Sequence, residues 1–306
     1  MPLIYSIIAP LIIISSVAVY QGEAFTATET ARLLQNCILI AGIGTLLQLY
    51  PIWKIGSALP VVMGISFTFL AACLATASQD YGIMVGAIIV GGCFEGVLGL
   101  TAKYWRKIIS PIVSACVVVS IGLSILNVGV SSFGSSSAYP LGSWQNLLVA
   151  TITLAAALSG GVFGCSPITS FSQKVGLISM THVVNRFTIM FGAPAMILGG
   201  LFPPIGAFFT TLPDCVLGGC TVIMFGSIMM SGVRMMHDAG MDQRNTLIAA
   251  TSICLGVGVT QVDGFFNELP SFIGDIFAGN MVAGVFVVGL ILDLCLPRDP
   301  SHYTSM

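Results

Sequence analysis

Residues Tyr81–Ala102 read YGIMVGAIIVGGCFEGVLGLTA, with Glu95 as the one charge in the run. A hydrocarbon core of about 30 Å asks for ~20 mostly apolar residues at 1.5 Å rise each. This stretch meets that length and reads as a membrane-spanning helix. Working outward, the same pattern recurs along the chain. Apolar runs occupy Pro2–Tyr20, Leu33–Tyr50, Ile55–Ser78 and Ile108–Val128. After the polar loop Ser131–Ser143 come Trp144–Gly164, Val175–Phe191, Ala193–Leu212, Val216–Val233, Thr246–Gln261 and Ile276–Leu296. These give ten or eleven segments, all expected to be helical, because an open sheet leaves backbone groups unpaired in lipid.

Composition agrees. Of 306 residues, 56% are hydrophobic and 7% charged, with a net charge of −2 and a mean hydropathy of +1.00. A soluble domain carries about 25% charged residues. Ten scattered cations are too few for the basic footprint of a nucleic-acid binder. The nine cysteines lie almost entirely in apolar runs without C-x-x-C spacing, so they read as small packing residues. The N-terminus has no basic n-region and no A-x-A site, so no signal peptide is expected. No nucleophile–base pair, metal cluster or phosphate loop is visible, so an enzyme is not expected, nor a cofactor beyond a coupling ion.

Loop charge sets orientation. Lys54, then Lys103, Arg106 and Lys107, then Arg234 and Arg244, and finally Arg298 are expected on the cytoplasmic side, which places the C-terminus there. The opposite loops hold Glu23, Glu29, Asp80, Asp214, Asp263, Glu268 and Asp275. Two crossings fit between Lys54 and Lys103, and two between Arg244 and Arg298. Between Lys107 and Arg234 an even number is required, yet the runs there number five. Trp144–Gly164, rich in Ala, Ser and Gly, is the weak member.

Two runs break helical rules at membrane depth. Ala58–Phe69 contains Pro60, Gly64, Ser66 and Thr68. Gly164–Gly176 contains Pro167, Thr169, Ser170, Ser172, Gln173 and Lys174, with a break at Cys165–Ser170. Irregular backbone in a membrane persists where it is buried or lines a cavity. A pair of Gly/Pro-interrupted spans is the sequence pointer to a transporter's substrate site, although ordinary proline kinks give a similar pattern. The Gln173 amide offers donors and an acceptor to the edge of a planar heterocycle. Lys174 within a span costs about 2.5–3.5 kcal/mol on insertion scales unless it snorkels or meets a partner. Glu95 and His182 are candidates for ion coupling, each with a packing role as the plainer alternative. Arg186 has the plainer role of a topology anchor.

These residues carry a resemblance. Gln173-Lys174-Val175-Gly176, Thr181 and Asn185-Arg186 are similar to the signature of the nucleobase–ascorbate transporter family (nucleobase:cation symporter-2), in its xanthine/uric acid branch. Pro167-Ile168-Thr169-Ser170-Phe171-Ser172 resembles the approach to that signature. Gly64-Ile65-Ser66-Phe67-Thr68-Phe69 is similar to the family's element in the third helix. The resemblance implies an all-α polytopic fold of two inverted seven-helix repeats, with short strands crossing at the third and tenth helices. It implies a purine site at Ser66, Phe67, Phe171, Ser172, Gln173, Lys174 and Gly176. Gly64, Pro167, Thr169, Thr181 and Arg186 would be signature residues. It implies uptake of a purine by H⁺ or Na⁺ symport in the plasma (inner) membrane. The partners implied are lipid, a purine and a second copy of the chain.

The departures shape three further expectations. Lys174 stands where the family has Asn, and Asn185 where it has Ser. The chain begins within the family's first helix, so the Gln-His element there is absent. Between Asn146 and Ser159 the family carries a long further stretch holding its seventh and eighth helices and an essential Glu. Residues 1–143 then form the first-repeat part, 144–164 a fused segment, and 165–306 the second-repeat part. Loss of that stretch accounts for the odd number of crossings. The alternatives are a non-transporting remnant, a regulatory membrane subunit, or an anion carrier of the related sulfate-transporter fold, for which Lys174 speaks.

Overall fold

The computed structural model describes residues 26–51, 81–101, 108–135, 139–162, 186–262 and 280–297, and isolated positions at 10, 11, 14, 63, 64, 73, 104, 265, 266, 274, 276 and 277. Every regular element among the described residues is helical. The helices are α1 (Ala27–Leu49), α2 (Tyr81–Leu100), α3 (Pro111–Ser124), α4 (Leu126–Gly134) and α5 (Trp144–Val162). They continue with α6 (Arg186–Leu201), α7 (Pro203–Thr210), α8 (Asp214–Asp238), α9 (Gln243–Gln261) and α10 (Met281–Cys295). Four stretches are long and apolar enough to cross a membrane: 28–49, 82–100, 111–134 and 214–238. A fifth forms if the bent pair α6 and α7 is one span. The chain is thus an all-helical membrane protein with four to five candidate spans among its described residues.

Local chemistry sets the helix ends and corrects several expected boundaries. Glu29 is not a loop residue. It stands in the first turn of α1, where Thr26 and Glu29 form a reciprocal capping box that satisfies otherwise unpaired amides. The polar loop expected from Ser131 begins later, because Ser131–Gly134 complete α4. Serine hydroxyls can bond back to helix carbonyls, as Ser131 Oγ does to Val128 O at 3.0 Å, so a serine run need not end a helix. The expected gap near Gly192 is absent, since α6 runs on with Pro194 inside it. The real break is at Phe202, where the chain turns by 91° into α7. Phe202 is extended because two prolines follow it, and the residue before proline avoids the helical region.

The chain divides into two compact units. The first comprises Met1–Tyr81 and Ile125–Ile228. Within it, α6 lies along α1 through two glycine notches. A Cβ at Gly200 would stand 2.8 Å from Leu39 N and 2.9 Å from Gln35 O, and one at Gly42 would stand 3.1 Å from Ala193 O. Small residues at such crossings let membrane helices approach closely enough for van der Waals packing to hold them. Gly129 receives the ring of Phe225 from α8, and Gly219 lies against Ala150 and Thr153 of α5. Asn146, 2% exposed, closes the turn before α5 by donating to Gly134 O (3.0 Å) and Pro140 O (3.2 Å).

The second unit comprises Gly82–Ser124 and Met229–Met306. Its core gathers Ile112, Val113, Cys116 and Val119 of α3, Ile248 and Ala249 of α9, and Met281 and Val285 of α10. Gly289 of α10 opens room for Val113 and Ser252. At one end, Arg244 of α9 reaches the C-terminus of α10. Its Nη2 donates to Asp293 Oδ1 at 2.9 Å and to Asp293 O at 2.7 Å, and its Nε donates to Leu296 O at 3.3 Å. The Asp293 side chain is fully buried and that of Arg244 is 18% exposed. The cation therefore neutralises a buried carboxylate and also satisfies carbonyls that a helix end leaves open.

Removing one member of a buried ion pair leaves an uncompensated charge. Arg244→Met is expected to lower stability by about 3 kcal/mol, and the double variant Arg244→Met/Asp293→Leu by clearly less. Thermal unfolding of detergent-solubilised protein checks this. Two single variants, Arg244→Met and Asp293→Leu, as stable as the parent would refute the pairing's structural role.

Candidate functional site

The broken third segment contributes Met63 and Gly64 to the described residues, and both are non-helical. Their position is set by α1. Thr45 is fully buried in that helix, and its hydroxyl donates to Ala41 O at 2.7 Å, one turn back. The same oxygen accepts the backbone N–H of Met63 at 2.9 Å. Gly44 beside it leaves room for the Met63 side chain, since a Cβ there would lie 3.3 Å from Met63 Cβ. An irregular strand of backbone at membrane depth needs such a partner, because neither water nor a helix supplies one. Thr45 thus anchors the chain four residues before Phe67.

The second expected break, Gly164–Gly176, lies outside the described residues, and α6 begins ten residues after it, at Arg186. α6 itself lies in the notches of α1 described above. Tyr50, just past the end of α1, donates its hydroxyl to Met190 Sδ at 2.9 Å. One helix, α1, therefore contacts both Met63 of the first break and α6. These contacts of α1 all lie within the first unit.

Of the expected site residues, Gly64 lies on this platform and Arg186 opens α6. Ser66, Phe67, Pro167, Thr169, Phe171, Ser172, Gln173, Lys174, Gly176, Thr181 and His182 lie outside the described residues. Glu95 is exposed on α2, in the second unit. Six described polar residues are buried, Thr45, Ser120, Asn146, Thr221, Ser252 and Asp293, and the sequence reading gave none of them a role. Asp293 had a signal, being a lone carboxylate inside Ile276–Leu296 with an arginine at the head of the preceding run. Thr45 had almost none, because one hydroxyl in an apolar helix is common. A cavity of about 280 Å³ in the second unit is lined by Ser110, Arg244, Asn245 and Asp293, and holds none of the expected site residues. No group of three or more metal-ligating side chains occurs among the described residues.

The described geometry is that of a helical membrane protein. Sequence comparison makes the class specific. The profile of the permease family that takes in the xanthine and uracil permeases matches residues 4–160 and 155–265. The chain belongs to this family, and it is a transporter-family protein, not an enzyme. It is 27% identical over 395 positions to the xanthine permease of Bacillus subtilis, covering 92% of this chain and 88% of that protein. It is 25% identical over 396 positions to the xanthine permease XanQ of Escherichia coli, covering 89% of this chain and 85% of that protein. To XanP of the same organism it is 23% identical over 413 positions, covering 94% and 89%.

Thr45→Val leaves the Met63 amide without its acceptor, and an unpaired buried amide costs about 1–3 kcal/mol. Thr45→Val is expected to lower the unfolding temperature of the solubilised protein, and Thr45→Ser to restore it. Equal stability of Thr45→Val and Thr45→Ser would show that the Met63 contact does not hold the break.

Proposed function

We propose that this chain is a purine permease of the xanthine/uric acid class, driven by H⁺ or Na⁺, with the two broken segments meeting at its substrate site. The observation that carries this reading is the family match, which runs through both breaks. Relatives named as xanthine permeases support the substrate class. In this reading the fold is the family's pair of inverted seven-helix repeats. The backbone near Phe67 and Ser172 meets the ring, and Gln173 pairs with the purine edge. Backbone N–H groups freed at such breaks suit a polar planar substrate. Glu95 and His182 are the ion-coupling candidates. The protein sits in the plasma (inner) membrane with its C-terminus in the cytoplasm, and a second copy is its expected protein partner.

A second reading has its own support. The two family matches overlap at residues 155–160. The Bacillus subtilis alignment runs over 395 positions, but 92% of 306 residues is about 282, so roughly 110 positions have no counterpart here. We infer an internal shortening near residues 155–160 that removes the segment after α5 begins. Residues 1–143 and 165–306 are then the two repeat parts, joined by a fused segment at 144–164. A shortened permease of this kind persists as a membrane protein without transport.

Uptake of radiolabelled xanthine into cells lacking their own purine permeases separates the two. Saturable uptake that a protonophore or Na⁺ removal collapses, and that Gln173→Ala abolishes, is the result expected of the permease. Absent uptake with the chain confirmed in the membrane assigns it to the second reading. Uptake of sulfate or urate that is insensitive to xanthine would replace both with an anion carrier that uses Lys174.

A further inference from the structure

Helices α3, α9 and α10 pack together in the second unit, and the cavity of about 280 Å³ lies at one end of them. That volume is far more than the ~10–15 Å³ that one water molecule needs. Its wall includes Ser110 and Ile112 at the start of α3, Arg244 and Asn245 in the first turn of α9, and Asp293 in the last turn of α10. Two helices therefore begin at this cavity. The first amides of a helix have no partner within it, and they carry the positive end of its dipole. A helix start of this kind suits an anion.

Two side chains on the wall keep bonding capacity. Ser110 stands in the N-cap position of α3, where its carbonyl accepts from the Ser114 N–H at 3.2 Å. A serine there ordinarily turns its hydroxyl to an amide of the first turn. Here the Ser110 Oγ is buried and has no hydrogen-bond partner among the described residues. Such a hydroxyl is costly unless an occupant of the cavity bonds it. Arg244 has five N–H groups. Its Nε and Nη2 are committed to Asp293 and Leu296, whereas Nη1 makes one long contact, 3.5 Å to Asn245 Oδ1. One Nη1 hydrogen therefore lacks an acceptor among the described residues. Asp293 is the one carboxylate among the lining residues, and Arg244 neutralises it. An excess of donors remains. The sequence adds Lys103, Arg106 and Lys107, three to seven residues before Ser110. Basic stretches beside a membrane span attract anionic headgroups.

We propose that this cavity binds a phosphate group, held by Ser110 Oγ, Arg244 Nη1 and the first amides of α3 and α9. The group belongs to an anionic lipid headgroup or to free phosphate, and the chemistry of recognition is the same. The cavity holds none of the residues expected at the purine site, so the proposal does not depend on that reading. Its test follows the unfolding temperature of the full chain, purified in detergent and stripped of lipid. One arm titrates inorganic phosphate at fixed ionic strength, with chloride as the balancing ion. The other titrates phosphatidylglycerol, with diacylglycerol as the phosphate-free comparison. The expected result is a saturable rise with at least one phosphate probe and none with diacylglycerol. A rise with inorganic phosphate assigns the site to the free anion, and a rise with phosphatidylglycerol alone assigns it to lipid. Ser110→Ala removes a hydroxyl that bonds nothing in the protein, so stability without the probe should hold. The titration midpoint should rise about tenfold, the worth of one hydrogen bond to a charged group. Ser110→Asp keeps a favourable N-cap residue but sets a carboxylate against the anion, so the rise should vanish. A flat response to both phosphate probes, a rise matched by diacylglycerol, or an undiminished rise in Ser110→Asp would overturn the proposal.

Discussion

A peptide N–H with no partner in hydrocarbon is the constraint from which the first unit follows. Water is absent, and each unsatisfied group costs several kcal/mol. A helix solves this for every residue it contains, but a broken span does not. Met63 leaves the helical pattern, so its amide must find an oxygen on a neighbour. Thr45 supplies it because a threonine in a helix already turns its hydroxyl toward the carbonyl four residues back, leaving lone pairs for another donor. A valine of the same shape would pack equally well and leave the amide unpaired. The irregular segment is therefore tolerated because α1 is built to receive it.

Receiving it also requires closeness. Lipid tails are as apolar as leucine, so membrane helices gain little from burying apolar side chains against one another. What holds α6 to α1 is contact at short range, and Gly42 and Gly200 permit it. The second unit uses the same device where Gly256 meets Val285 and Gly289 meets Val113 and Ser252. There a charge pair is added. Arg244 reads from the sequence as a topology marker, and its position at the head of α9 is compatible with that. Its guanidinium, however, is committed to Asp293 and to the final carbonyls of α10.

The class of fold was legible because membrane spans obey a length and an apolarity that composition alone reveals. The run at Tyr81–Ala102 became α2 with its end moved by two residues, and Thr246–Gln261 became α9 extended by three. Boundaries governed by local side-chain bonding were less legible. Serines looked like loop in α4, and Pro194 did not end α6, whereas Pro203 and Pro204 did turn the chain. The difference is that Pro194 sits inside a helix whose packing is maintained by α1, while two consecutive prolines remove the donors of a new first turn. Of the site, the sequence pointed to two breaks; Met63 and Gly64 of the first are non-helical, and the second lies outside the described residues. It did not reveal Thr45, since recognising an acceptor requires knowing which amide lies opposite.

Family membership and transport depend on different parts of such a chain. Membership is carried by residues spread over 4–160 and 155–265. The α1–α6 crossing and the α3–α9–α10 core each close within a single unit. Transport is less forgiving, because a substrate site assembled from several segments fails when one is removed.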